Sequence, residues 1–192
     1  MDCPITKFND IWQHALEDSP LKQKSAVCIS TIDADGFPQS RFLDLKSADN
    51  NGFIFCTYLD SNKGKEIQDN PKVSLTIWWD HIGMQIRVAG QAEKISEQLS
   101  TEFWYTRSRD AKLTTTSFNQ SQPLSCESEL DTRFELIKQQ MQNQEVPKPD
   151  NWGGYAIKPL SIEFLTFKES RLDLRELYQS KNEQWQKSLL QP

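Results

Sequence analysis

A chain of 192 residues and 22.3 kDa has the size of one compact domain and can bury a true core, so residues 1–192 read as a single domain. Its 27 acidic and 22 basic residues leave a formal charge of -5. That balance argues against a dedicated nucleic-acid binder, but not against a few arginines and lysines converging on a small anion.

Apolar runs are interrupted every few residues and fall far short of the roughly 20 that a membrane-spanning helix requires. The opening MDCPITKFND lacks a basic n-region and an apolar h-region, so an exported precursor is not expected. Cys3, Cys28, Cys56 and Cys126 lie far apart and form no C-x-x-C pair, which suits reduced thiols in a cytoplasmic protein. His14 and His81 belong to no ligand-spaced cluster, so no metal is expected. The 7 glycines form neither a G-x-G-x-x-G fingerprint nor a G-x-x-x-x-G-K-[ST] loop. A nucleotide cofactor would have to be held another way.

In chain order, Ile5, Phe8, Ile11, Trp12, Ala15 and Leu16 recur at helical spacing over 5–16, and Asp18, Ser19 and Pro20 end the helix. Residues 26–32 are β-branched, 33–38 are turn-rich and 39–46 alternate, which fits two strands joined by a hairpin. A turn at 48–52 leads into a strand at 53–57, and 61–68 reads as a short helix before Asn70 and Pro71. Strands at 73–79 and 84–95 follow, separated by Asp80-His81-Ile82-Gly83. Strands this close in sequence favour a meander or barrel over βαβ units. Residues 96–107 and 126–143 are helical in pattern, with a polar loop at 113–122 between them and a Gln-rich solvated face at 138–144. The helix breaks over 146–154, strands follow at 155–158, 162–167 and 172–178, and 184–190 pairs as a last strand. The expected fold is mainly β, an antiparallel barrel with peripheral helices.

Several clusters carry possible chemistry. Arg41 and Lys46 lie five apart on one strand, so a period of two puts them on opposite faces unless a bulge or shared edge intervenes; exposed strand charges are the plain alternative. Ser61-Asn62-Lys63-Gly64-Lys65 opens a helix with a hydroxyl, free N–H groups and cations, which suits either a phosphate or a simple cap. Arg107-Ser108-Arg109-Asp110 follows the aromatic run Phe103, Trp104 and Tyr105, and Ser170-Arg171-Leu172-Asp173-Leu174-Arg175 alternates arginine with aliphatics. Each fits a surface ion pair; together they point to an anionic ligand or phosphorylated cofactor.

The chain resembles the pyridoxine (pyridoxamine) 5′-phosphate oxidases, flavoproteins of the FMN-binding split-barrel fold, from about Phe8 to Pro192. The carriers are Arg41-Phe42-Leu43-Asp44-Leu45-Lys46, Phe55-Cys56-Thr57, Ser61-Asn62-Lys63, Gln85, Arg107-Ser108-Arg109-Asp110, Gln120-Ser121, Trp152-Gly153-Gly154, Ile162-Glu163-Phe164, Arg171-Leu172, Arg175, Leu177-Tyr178-Gln179 and Trp185. The resemblance implies a split barrel and a homodimer with FMN at the subunit interface. It also implies hydride transfer from a small, phosphorylated substrate to the flavin and reoxidation by dioxygen. By position, Arg41, Phe42, Leu43, Asp44, Leu45, Lys46, Cys56, Thr57, Asn62, Lys63, Gln85, Gln120, Ser121, Leu165 and Arg175 would line the flavin, with Lys63, Ser121 and Arg41 on its phosphate. Lys46, Phe103, Arg107, Ala111, Arg171 and Asp173 would face the substrate, the last two as catalytic residues.

Several of these positions depart from the family pattern. Phe103 and Ala111 stand where the family places a tyrosine and a serine on the substrate phosphate, and losing two hydroxyls there costs roughly 2–6 kcal/mol. Asp173 replaces the histidine of an Arg-x-His pair, Asn62 an arginine, Leu165 an aromatic and Asp44 an apolar residue. These departures leave alternatives open beside the oxidase: an FMN-binding module without efficient turnover, and a related split-barrel enzyme, either a reductase using another flavin-like cofactor or one oxidising another, larger aromatic metabolite.

Overall fold

A computed structural model describes residues 3–17, 19–182 and 184–192. Helix α1 (Pro4–Glu17) opens the chain, and Asp18, one of its expected terminators, lies outside the described residues. Then come β1 (Ala26–Ile32), β2 (Pro38–Asp49), β3 (Gly52–Tyr58), α2 (Asn62–Asp69), β4 (Lys72–Trp79), a 3-10 turn at Asp80–Ile82 and β5 (Met84–Lys94). The middle forms α3 (Glu97–Tyr105), α4 (Arg109–Ser117) and α5 (Ser128–Gln140). The chain ends in β6 (Trp152–Thr166), β7 (Leu174–Lys181) and β8 (Gln184–Leu190).

The sheet order is β3-β2-β1-β4-β5-β6-β7-β8, and an additional β3–β6 pairing closes the first six strands into an antiparallel barrel, as expected. Alternation drives the closure: in β1 and β4 every second residue is buried, so Val27, Ile29, Leu75 and Ile77 turn inward while their neighbours face out. Gly90 of β5 lets two backbones meet, because a Cβ there would lie 2.2 Å from the Lys158 carbonyl oxygen.

The chain divides into two compact units. The first comprises Met1–Phe55, Glu66–Glu93 and Tyr155–Pro192. In it, Phe8 of α1 is fully buried and meets Phe53 and Trp79 at ring distances of 4.9 and 6.0 Å. The second comprises Cys56–Lys65 and Lys94–Gly154, around Tyr58, Trp104, Leu113, Val146 and Trp152. There the Trp104 and Trp152 rings meet edge to face at 5.0 Å, and the Trp104 indole N–H donates to the Val146 carbonyl at 3.0 Å.

Three local expectations need correction. The polar loop expected at 113–122 is helical as far as Ser117. Ser108 caps α4 by accepting from the Ala111 N–H at 3.3 Å, and buried Leu113 anchors it, overriding the weak helix propensity of Thr114, Thr115 and Thr116. The strands expected at 155–158 and 162–167 are one strand. Pro159 interrupts neither, because β6 surfaces around it, with Leu160 exposed, and a lost ladder donor is cheap beside solvent. Strand β2 also runs through the turn expected to begin at 48, reversing only after Asp49.

Glu176 of β7 ties α1 to the C-terminal strands. Lys7 donates to its Oε2, and the Lys187 ammonium lies 2.5 Å from its Oε1. Burial opposes the charge of Glu176, but hydrogen bonds from Lys187 and Lys7 outweigh it and hold the carboxyl below the usual 4.5. A group depressed on folding stabilises the fold above its unfolded value, and that contribution is lost as pH falls through the folded one. The melting temperature of the wild type should therefore exceed that of Glu176→Gln near about pH 7, and the difference should shrink progressively as the pH falls below 4.5. A pH-independent difference would mean that the charge plays no part.

Candidate functional site

Of the expected residues in the second unit, Thr57, Asn62, Lys63, Gln120 and Ser121 meet at the start of α2. Lys63 is buried, and its ammonium donates to Gln120 Oε1 at 2.9 Å, Thr57 Oγ1 at 3.1 Å and Ser61 Oγ at 3.3 Å. The Asn62 N–H, one of the unpaired donors at a helix start, reaches Ser121 Oγ at 3.2 Å. Ser121 holds a left-handed backbone (φ 72), a conformation that costs about 1 kcal/mol or more outside glycine and clusters at ligand sites. Gly64 is required where the helix begins, since a Cβ there would sit 2.2 Å from the Leu59 carbonyl oxygen. A buried cation, a helix N-terminus and hydroxyls form a donor set suited to a phosphate monoester. Cys56 packs against the aromatic core of the second unit.

The substrate-facing expectations of this unit are Phe103 on α3, Ala111 on α4 and Arg107 in the link between the two helices. Arg107 gives its Nη2 to the Ala111 carbonyl at 3.0 Å and to Thr115 Oγ1 at 2.8 Å, and its guanidinium lies 5.3 Å from the Trp152 ring and 5.6 Å from the Trp104 ring. The cation is thus oriented by neutral oxygens and indole faces. Tyr58 donates to the Thr115 carbonyl; burial and then the charge of Asp60, against the pull of Arg107, push its hydroxyl up to about 12, so it stays a donor. Phe103 packs on the aromatic core, and Ala111 lies in the first turn of α4.

The remaining residues belong to the first unit. Along β2, Phe42 and Asp44 are exposed, Arg41 and Leu43 half-buried, and Leu45 buried. The register against β3 shifts between Leu45 and Ser47, so Lys46 is the extra residue of a β-bulge. Strict alternation therefore does not separate Arg41 from Lys46. The Arg41 guanidinium pairs with Glu66 at 2.9 Å and donates to the buried Thr31 hydroxyl, while Lys46 lies 3.8 Å from Asp44. Gln85 on β5 is half-buried opposite Trp78, and Leu165 on β6 pairs with Arg175 on β7. In the β6–β7 loop, Arg171 is exposed with a left-handed backbone (φ 58), and Asp173 accepts from the Lys168 N–H at 2.9 Å. Asp173 thereby caps the loop.

Sequence reasoning gave Ser61 its place at a helix start suited to a phosphate, but assigned no role to Thr31, Glu66 or Glu163. These three act on residues distant in sequence, Thr31 and Glu163 across strands and Glu66 from α2, where tertiary pairing decides. Among the described residues, no group of three or more His, Cys, Asp or Glu could hold a metal ion, and no helix is long and apolar enough to cross a membrane.

Residues 14–141 match the family model of pyridoxamine 5′-phosphate oxidase, and 152–192 match that of the pyridoxine 5′-phosphate oxidase C-terminal dimerisation region. A pyridoxine/pyridoxamine 5′-phosphate oxidase of Leptospira biflexa is 35% identical over 189 residues, covering 98% of this chain and 89% of that protein. Another from Teredinibacter turnerae is 37% identical with the same coverage. The structure of PhzG from Burkholderia lata, in complex with tetrahydrophenazine-1-carboxylic acid, is similar with a TM-score of 0.90 at 28% identity, covering 98% of this chain and 92% of that one. A pyridoxamine 5′-phosphate oxidase-related, FMN-binding protein from Nostoc punctiforme shares the fold, with a TM-score of 0.80 at 18% identity over the whole of both chains. On the family models, the whole-chain identity and the barrel, this chain belongs to the pyridoxamine 5′-phosphate oxidase family.

Proposed function

We propose that the protein is an FMN-dependent oxidoreductase that oxidises a small, anionic, aromatic substrate as a homodimer. The observation that carries the cofactor is the buried Lys63 ammonium beside the start of α2 and the strained Ser121, a cradle whose chemistry suits the FMN phosphate. FMN, when bound, supplies the two-electron chemistry, taking hydride from a substrate carbon and passing the electrons to dioxygen. The protein's part is to bind and orient. Lys63 and Ser121 would hold the phosphate, with Asn62, Thr57 and Gln120 around them. Gln85 would face the flavin ring edge, where an amide can donate or accept. Arg41 would join the phosphate by sharing its guanidinium with Glu66. Phe42, Leu43, Asp44, Leu45, Cys56, Leu165 and Arg175 would complete the flavin surroundings. The match of 152–192 to a dimerisation region supports the homodimer.

Lys46, Arg107 and Arg171 would take the anionic group of the substrate, with Asp173 beside its reacting amine or alcohol. The curated relatives favour a vitamin B6 phosphate ester. A second reading is favoured by Phe103 and Ala111, which withhold two hydroxyls from a phosphate, and by the similarity to PhzG with its aromatic carboxylic acid. In that reading Arg107 binds a carboxylate on a larger apolar ring system.

The test is anaerobic. Purified protein should be yellow or become so with FMN, and pyridoxamine 5′-phosphate should bleach it under the first reading. Bleaching by a reduced aromatic carboxylic acid alone would select the second reading, and no FMN binding would end both.

A further inference from the structure

Glu163 of β6 is only 8% exposed, yet it is a carboxylate. Its Oε1 accepts from both Nε and Nη2 of Arg175 on β7, at 2.8 and 2.7 Å, and its Oε2 accepts from Arg87 Nη1 on β5 at 3.3 Å. Arg175 Nη1 is held in turn by the Gln191 carbonyl at 3.2 Å. Three of the five N–H donors of Arg175 are thus fixed, which stops its planar fork from rotating and leaves one N–H on each terminal nitrogen for another acceptor. Stability alone is a weak reason for this arrangement, because a buried ion pair repays its desolvation poorly against an apolar pair of similar size. A fixed fork, in contrast, loses little freedom on meeting a ligand.

We infer that Glu163 is a positioning residue of the flavin site, which locks the Arg175 guanidinium in one orientation and so presets its remaining donors for FMN. The inference rests on the FMN reading above and adds to it a residue that touches no cofactor itself. Arg87 is the lesser partner: it takes the second carboxylate oxygen and offsets the charge that Arg175 leaves shared.

The experiment is a double-mutant cycle on FMN affinity, read by flavin fluorescence quenching, together with the visible circular dichroism of the bound flavin. Glu163→Gln should raise the FMN dissociation constant about tenfold and give the dichroism of Arg175→Ala, and adding it to Arg175→Ala should raise the constant no further. Arg175→Lys keeps the charge but cannot make the two-point contact with Oε1; it should show a similar loss of affinity, and it serves if Glu163→Gln does not fold. A lower melting temperature with unchanged affinity and dichroism would make Glu163 a structural brace and overturn the inference. Tighter FMN binding in Glu163→Gln would overturn it too, since the carboxylate would then act only by repelling the phosphate. So would additive losses in the cycle. Absence of FMN binding by the wild type would instead refute the FMN reading, and this inference with it.

Discussion

Replacing Lys63 by methionine is expected to raise the FMN dissociation constant about 10- to 100-fold while leaving the melting temperature of the FMN-free protein no lower. The lysine is buried and its ammonium faces the neutral oxygens of Gln120, Thr57 and Ser61. A phosphate would complete these contacts with charge-assisted hydrogen bonds worth roughly 1.5–3 kcal/mol to the complex, a factor of ten or more in affinity. Methionine fills the space of the lysine stem and removes the charge, so the fold loses little. Isothermal titration with FMN, paired with thermal melts without it, separates the two effects. Wild-type affinity in the variant would show that the phosphate is held elsewhere.

The double substitution Phe103→Tyr with Ala111→Ser addresses the substrate and should strengthen binding of pyridoxamine 5′-phosphate at least about tenfold, the counterpart of roughly 2–6 kcal/mol for two hydroxyls on a phosphate. Ala111 lies in the first turn of α4 and its carbonyl anchors Arg107, while Phe103 packs on the aromatic core only partly buried. Under the aromatic-acid reading the same change should weaken binding of a carboxylate-bearing ring, because it narrows an apolar surface and adds hydroxyls that need partners. Rapid anaerobic mixing with each compound measures both. Unchanged affinity for the phosphate ester would mean that residues 103 and 111 do not face the substrate.

Much of the architecture was legible in residue order. The strand at 26–32, the hairpin turn at 33–38 and the closing strand at 184–190 agree with β1, its turn and β8, because alternation and turn residues are local signals. Where reading failed, distant partners had overridden local preference. The threonine run of α4 is a poor helix by composition, but buried Leu113 and the Ser108 cap hold it. Pro159 should divide a strand, yet the strand merely surfaces there. The cradle was half visible: Ser61-Asn62-Lys63 announces a helix start, whereas the meeting of Lys63 with Gln120, 57 positions later, is written in no spacing.

The sequence was sufficient for the class of fold, the family and the departures at Phe103, Ala111 and Asp173, since periodicity, turn chemistry and motif order are properties of neighbouring residues. Orientation of the charged groups was not available from it. That Arg41 faces Thr31, that Lys46 is a bulge residue, and that Glu163 joins Arg87 to Arg175 all follow from strand register and barrel closure, and that Arg41 also meets Glu66 follows from where α2 lies. A shift of one residue in register turns every side chain of a strand to the other face, so which cations meet which carboxylates is settled only when the strands have paired.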